Sequence, residues 1–143
     1  MVNTIGSILG GHYQIVRLLS NNGGFSETYL AADIHLPDKP LRVVKKLKPQ
    51  FNQPQFLRNA LRLFNTEAEV LYRLGENEFI PQLFAHFEES GEFYLVQEYI
   101  EGDDLSKEID RDKQLDEQTT IVILRAILEV LEAVHRENVI HRD

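Results

Sequence analysis

Leu41-Arg42-Val43-Val44-Lys45 is a short apolar run closed by a lysine, and a second basic run, Lys46-Leu47-Lys48, follows at once. Branched side chains fit a pleated, half-buried surface, so the run reads as a strand. Side chains alternate faces on a strand. Val43 and Lys45 therefore point one way, Val44 and Lys46 the other. A lysine at the inner end of a buried strand must find an anion or lose its charge. Lys46 and Lys48 read as solvated edge residues.

Working outward, the stretch before this strand is a pair of strands joined by a turn. His12 to Leu19 alternates as a strand, and Glu27 to Ala32 reads as the returning one. Between them Ser20-Asn21-Asn22-Gly23-Gly24 carries Asn-Gly, a strong hairpin signal. Residues 33–40 carry Asp, two Pro and Lys and form a second turn. The three strands make an antiparallel meander. Residues 1–11 are polar and glycine-containing and read as a loose lead-in.

After the lysine strand, Pro49 to Pro54 breaks the pattern. From Gln55 to Leu74 the apolar residues fall at helical spacing, and Gly75 is a plausible stop. Glu67 precedes Val70, Leu71 and Leu74, which places it on the stripe that faces the sheet. Glu69 points elsewhere. An acid on the packed stripe needs a cation, and Lys45, 22 residues earlier, is the natural one. Leu83–Glu88 and Glu92–Glu98 are two further strands joined at Glu89-Ser90-Gly91. A polar stretch, Glu101-Gly102-Asp103-Asp104, reads as a hinge. A short helix follows at Leu105–Ile109. A long one starts at Asp116, with Asp116 and Glu117 in its first turn, where the helix dipole favours acids.

Composition bounds the function. The chain has 143 residues, 43% hydrophobic and 27% charged, enough for a globular core. A net charge of −8 argues against a general nucleic-acid binder. There are no cysteines, hence no disulfide framework and no thiolate zinc site, which fits a reducing, cytoplasmic setting. No apolar run reaches the roughly 18 residues of a membrane span, and Met1–Gly11 lacks the pattern of a signal peptide.

Five stretches stand in a fixed order: the turn Asn21–Ser26, Val43-Val44-Lys45, Glu67 on its helix, Phe93–Gly102, and His141-Arg142-Asp143 after Val139-Ile140. Each has a bland reading alone: a plain hairpin turn, a strand-edge lysine, a solvated carboxylate, a core strand running into a loop, a bare tripeptide. In this order they resemble the N-terminal part of a eukaryotic-type serine/threonine protein kinase catalytic domain, in the bacterial variant with a GGFxxTYL loop. The resemblance runs from about Tyr13 to Asp143.

It implies an α+β fold: a kinase-like small lobe, with a five-stranded antiparallel sheet plus helix C, followed by the first helices of the large lobe. The divisions are a lead-in at 1–11, the small lobe at 12–100, a hinge at 101–104 and the start of the large lobe at 105–143. It also implies ATP as ligand. Asn21, Gly23, Gly24 and Ser26 stand where the phosphate loop would lie, although only the middle glycine of the family's G-x-G-x-x-G survives. Lys45 would bond the α- and β-phosphates, and Glu67 would hold Lys45. Backbone groups near Glu98 and Ile100 would meet the adenine edge. Gln97 matches the residue that gates pocket depth, and Asp104 the acid that bonds the ribose. Val16, Phe25 and Leu30 are weaker candidates for the pocket roof. Asp143 would accept the substrate hydroxyl proton, with Arg142 as its electrostatic support and His141 as a packing and hydrogen-bonding group.

The family's Mg2+ ligands fall after Asp143, so no metal ligand is assigned within this chain. The resemblance accordingly implies a parent kinase acting on protein Ser or Thr, and a 143-residue chain without turnover of its own. A pseudokinase-like or regulatory interaction module is the alternative. The helix from about 116 to 137 is apolar on most sides, which predicts self-association through it.

Overall fold

The computed structural model describes residues 4–22, 26–47, 54–109 and 114–140. It falls into two compact units, Met1–Tyr99 and Ile100–Asp143. In the first, β1 (Ile8–Leu9), β2 (Tyr13–Asn22), β3 (Ser26–Asp33) and β4 (Leu41–Leu47) are followed by α1 (Pro54–Leu74), β5 (Leu83–Glu89) and β6 (Glu92–Glu98). The fold is the α+β arrangement that the sequence implies. The sheet is antiparallel, in the order β1-β2-β3-β4-β6-β5.

That is one strand more than expected. Residues 1–11 were read as a loose lead-in, yet Ile8 pairs with Gln14, Leu9 pairs with Tyr13, and Leu9 is buried. Gly10 and Gly11, both at positive φ, turn the chain straight back into β2. At the other tight hairpin, Ser90 and Gly91 are both at positive φ between the paired Glu89 and Glu92. A two-residue loop of that kind matches the twist of its strands.

The sheet rolls towards closure. β1 and β5 are its opposite edges, but the Gly10 N–H donates to the Glu89 carboxylate at 3.2 Å. The Tyr13 ring stacks on Phe87 with centroids 6.3 Å apart, and Phe87 stacks in turn on Tyr94. Inside the roll Leu9, Tyr13, Ile15, Tyr29, Ala31, Val44, Tyr94 and Val96 form one core. Outside it, α1 lays Phe64 and Ala68 on Phe93 and Leu95 to form a second. The two cores occupy opposite faces of β4 and β6, as period-2 alternation requires.

The second unit holds α2 (Leu105–Glu108) and α3 (Glu117–Arg136). Asp116 is the N-cap of α3 rather than a first-turn residue, and its side chain accepts a hydrogen bond from the Thr119 N–H at 2.7 Å. That bond holds the Asp116 carboxyl below its usual range. Ile121, Val122, Leu124, Ile127 and Leu128 lie exposed along α3.

Closure of the roll depends on Gly10. A Cβ there would stand 2.9 Å from the Phe87 ring, on a backbone at φ +55°, whereas one at Gly11 (φ +68°) would meet open space. Gly10→Ala should cost about 2–3 kcal/mol, from backbone strain plus overpacking, and Gly11→Ala about 1 kcal/mol, from strain alone. Urea unfolding followed by far-UV circular dichroism measures both, and equal losses would contradict the closure.

Candidate active site

β4 presents its two lysines to opposite faces. Lys45 stands opposite Thr28 of β3 and Leu95 of β6, on the face that α1 covers. α1 is anchored on that face by Phe64, whose ring meets Phe93 at 5.5 Å. One turn further on, Glu67 reaches back to the sheet. Its Oε1 accepts a hydrogen bond from Lys45 Nζ at 2.8 Å. Glu69 is exposed.

The ion pair is not the buried one that the sequence argument required. The side chains of Lys45 and Glu67 are 34% and 42% exposed. A pair so open to water contributes at most about 1 kcal/mol to stability. Its significance is positional: it holds a part-exposed ammonium on the α1 side of the sheet. Gln97 shares this face, since it stands opposite Val43.

The other sequence-predicted residues are placed as follows. Asn21 is exposed near the end of β2, opposite Glu27, and Ser26 opens β3 opposite Leu47. Gly23 and Gly24 between them lie outside the described residues, as do His141, Arg142 and Asp143. Glu98 closes β6. Its N–H donates to the Gln82 carbonyl at 2.8 Å, and its carboxylate accepts from the Gln82 N–H at 3.2 Å. Ile100 and Asp104 belong to the second unit. Ile100 is exposed. Asp104 precedes α2 without capping it through its side chain, and the neighbouring Asp103 pairs with Lys107 at 2.8 Å.

Sequence reasoning missed the inner face. Lys46, read as a solvated edge residue, is fully buried in the roll. Its Nζ lies 2.6 Å from Glu92 Oε2, which also accepts the Tyr94 hydroxyl at 2.9 Å. Glu27, fully buried as well, stands opposite Lys46 and accepts the Tyr29 hydroxyl at 2.6 Å. A signal was available. Both strands beside β4 carry Glu-x-Tyr, Glu27-Thr28-Tyr29 and Glu92-Phe93-Tyr94, and alternation places both pairs on the Val44–Lys46 face. Burial pushes the Glu92 carboxyl up, but hydrogen bonds from Lys46 and Tyr94 and the charge of Lys46 outweigh it and hold the group below its usual range.

The sheet, its helix and the Lys45–Glu67 pair can be set beside known proteins. The family model described as protein kinase domain matches residues 13–143. The chain belongs to the protein kinase domain family. It is 42% identical to serine/threonine-protein kinase B of Synechocystis sp. (strain PCC 6803), over 94% of this chain and 23% of that protein. It is 39% identical to serine/threonine-protein kinase PknA of Nostoc sp. (strain PCC 7120), over 95% of this chain and 24% of that one. The protein kinase domain chain thus spans about a quarter of the length of these curated relatives. A crystal structure of a kinase domain overlays 68% of this chain and 27% of its own with a TM-score of 0.53, at 20% identity, a likeness of fold. The resemblance to bacterial serine/threonine kinases is therefore borne out.

The inner pair gives this kinase domain chain an acid-sensitive element. The folded Glu92 carboxyl ionises more readily than the unfolded one, so the unfolded state binds the proton more tightly. The stabilisation is present above the ordinary value of 4.5 and is lost as pH falls through the lowered folded one. Glu92→Gln should flatten the acid limb of a stability–pH curve measured by urea midpoints. An unchanged acid limb would show that Glu92 does not report on folding.

Proposed function

We propose that this chain is the ATP-binding part of a serine/threonine protein kinase domain. The observation that carries the proposal is the 2.8 Å contact between Lys45 and Glu67 on the α1 side of the sheet. A lysine fixed in that way offers a directed ammonium to the α- and β-phosphates of ATP, and a carboxylate from α1 holds it in place. The family match and the serine/threonine kinase relatives support the same chemistry.

In this reading Asn21, Gly23, Gly24 and Ser26 form the loop over the phosphates, where small residues let backbone N–H groups approach. Any bond from Glu98 to the adenine edge falls to its carbonyl, because its N–H is already given to Gln82. Ile100 would supply a further edge contact, Asp104 would bond the ribose, and Gln97 would limit the pocket's depth. Asp143 would take the hydroxyl proton of a protein substrate, supported by Arg142. Magnesium would neutralise the triphosphate. Among the described residues no group of three histidine, aspartate or glutamate side chains is placed to hold a metal, so no step is assigned to protein-held magnesium.

A thermal-shift titration with Mg·ATP tests the nucleotide reading. Stabilisation should grow with concentration, reaching about 1.4 kcal/mol at ten times Kd, and Lys45→Met should abolish it. No shift at millimolar nucleotide would favour the interaction-module alternative, for which the departures at Asn21 and Ser26 from the family's glycines already speak.

Self-association through α3 is the second part of the proposal. Val122 is 58% and Leu128 55% exposed, on one helix with three more exposed apolar side chains. Apolar surface of that extent favours contact with another apolar surface. Sedimentation equilibrium should show mass rising with concentration, and Leu128→Lys should suppress the rise. A monomer at high concentration would remove this part.

A further inference from the structure

Lys45 and Lys46 are identical side chains at adjacent positions. A slip of one residue in the pairing of β4 would exchange them between the two faces. Something must decide which lysine faces α1 and which enters the roll. The interior has an answer. Lys46 stands opposite Glu27 of β3 and Tyr94 of β6, and it is ion-paired to Glu92 at 2.6 Å. Thr28 and Leu95, the residues next along those strands, are the ones that flank Lys45. β4 is thus tied to β6 one residue away, from behind, with Glu27 of β3 standing opposite the same lysine.

Both carboxylates are braced. Tyr29 donates to Glu27 and Tyr94 to Glu92, so both carboxylates have their direction fixed by a tyrosine on their own strand. A buried ion pair is weak evidence for stability, since apolar residues of similar volume often serve as well. Its better-attested use is to specify register. A slip in one direction would put Val44 where Glu67 needs a cation, and a slip in the other would put Lys45 in the fully buried place of Val44 and Leu47 among the carboxylates, so only the observed register satisfies both faces.

We propose that Lys46 is a positioning residue for Lys45. Through Glu92, between the two Glu-x-Tyr strands, it holds β4 in the register that keeps Lys45 Nζ on Glu67. The consequence for nucleotide rests on the function proposed above; the consequence for Lys45 itself does not.

The test uses the full 143-residue chain with 15N-labelled lysine. The Lys45 Nζ resonance is identified by its loss in Lys45→Arg, and its Glu67-dependent shift is defined by Glu67→Gln. In Lys46→Met that shift should collapse towards the Glu67→Gln value while far-UV circular dichroism stays native. The Kd for Mg·ATP should rise about tenfold, although Lys46 faces away from the ligand. A purely structural role would lower the melting temperature and leave the resonance where it was, and that result overturns the proposal. If Lys46→Met fails to fold, Glu92→Gln carries the measurement: a displaced Lys45 resonance supports the proposal, and an unmoved one overturns it. The two readings separate cleanly. A displaced resonance in a chain that never binds ATP leaves the positioning role standing and removes the nucleotide reading. Lys45-dependent ATP binding with an unmoved resonance does the reverse.

Discussion

An ammonium group cannot stand inside an apolar sheet without a carboxylate, and this sheet has met that constraint on one strand at two successive positions. Lys46 meets it in the interior, against Glu92. Lys45 meets it on the α1 side, part-exposed, against Glu67. The two solutions differ in kind. The inner one holds a fully buried ammonium against a carboxylate that is itself partly exposed and braced by Tyr94, and it fixes where the strand lies. The outer one is half-solvated, contributes little to stability, and is free to exchange partners. A cation that must share its carboxylate with an anionic ligand is better placed where its own ammonium is within reach of solvent, as at Lys45, than where it is fully buried, as at Lys46.

Much of this was legible in the sequence. The meander, the long helix from Pro54 and the hairpin at Ser90-Gly91 follow from branched runs, helical spacing and turn residues, although β2 runs on to Asn22, three residues into the expected turn. The pairing of Lys45 with Glu67 followed from placing Glu67 on the stripe shared with Val70, Leu71 and Leu74. What the sequence did not give was depth. The strand pattern shows which residues share a face, but not how far the sheet curls over that face. Lys46 was read as an edge residue because a flat sheet would leave it wet. The roll that buries it depends on Gly10 meeting Phe87, a contact across 77 residues of chain that no local pattern announces.

The lead-in strand escaped notice for a related reason. Ile8-Leu9 is too short to alternate, and its pairing to β2 comes from two glycines that reverse the chain at once. Read as composition, Gly10-Gly11 says only that the segment is flexible. Their positive φ values give it a definite direction.

The meeting of β1 and β5 has one more consequence. An open sheet has two rims of unpaired backbone, and each can recruit a strand from another molecule and so begin an aggregate. Here Gly10 and Tyr13 are pressed against Phe87 and Glu89, so the two rims shield each other at that end, while β2 beyond Ile15 keeps an uncovered edge among the described residues. If copies of this chain associate by strand pairing, the free edge of β2 is the place for it, and the closed end of the roll is not.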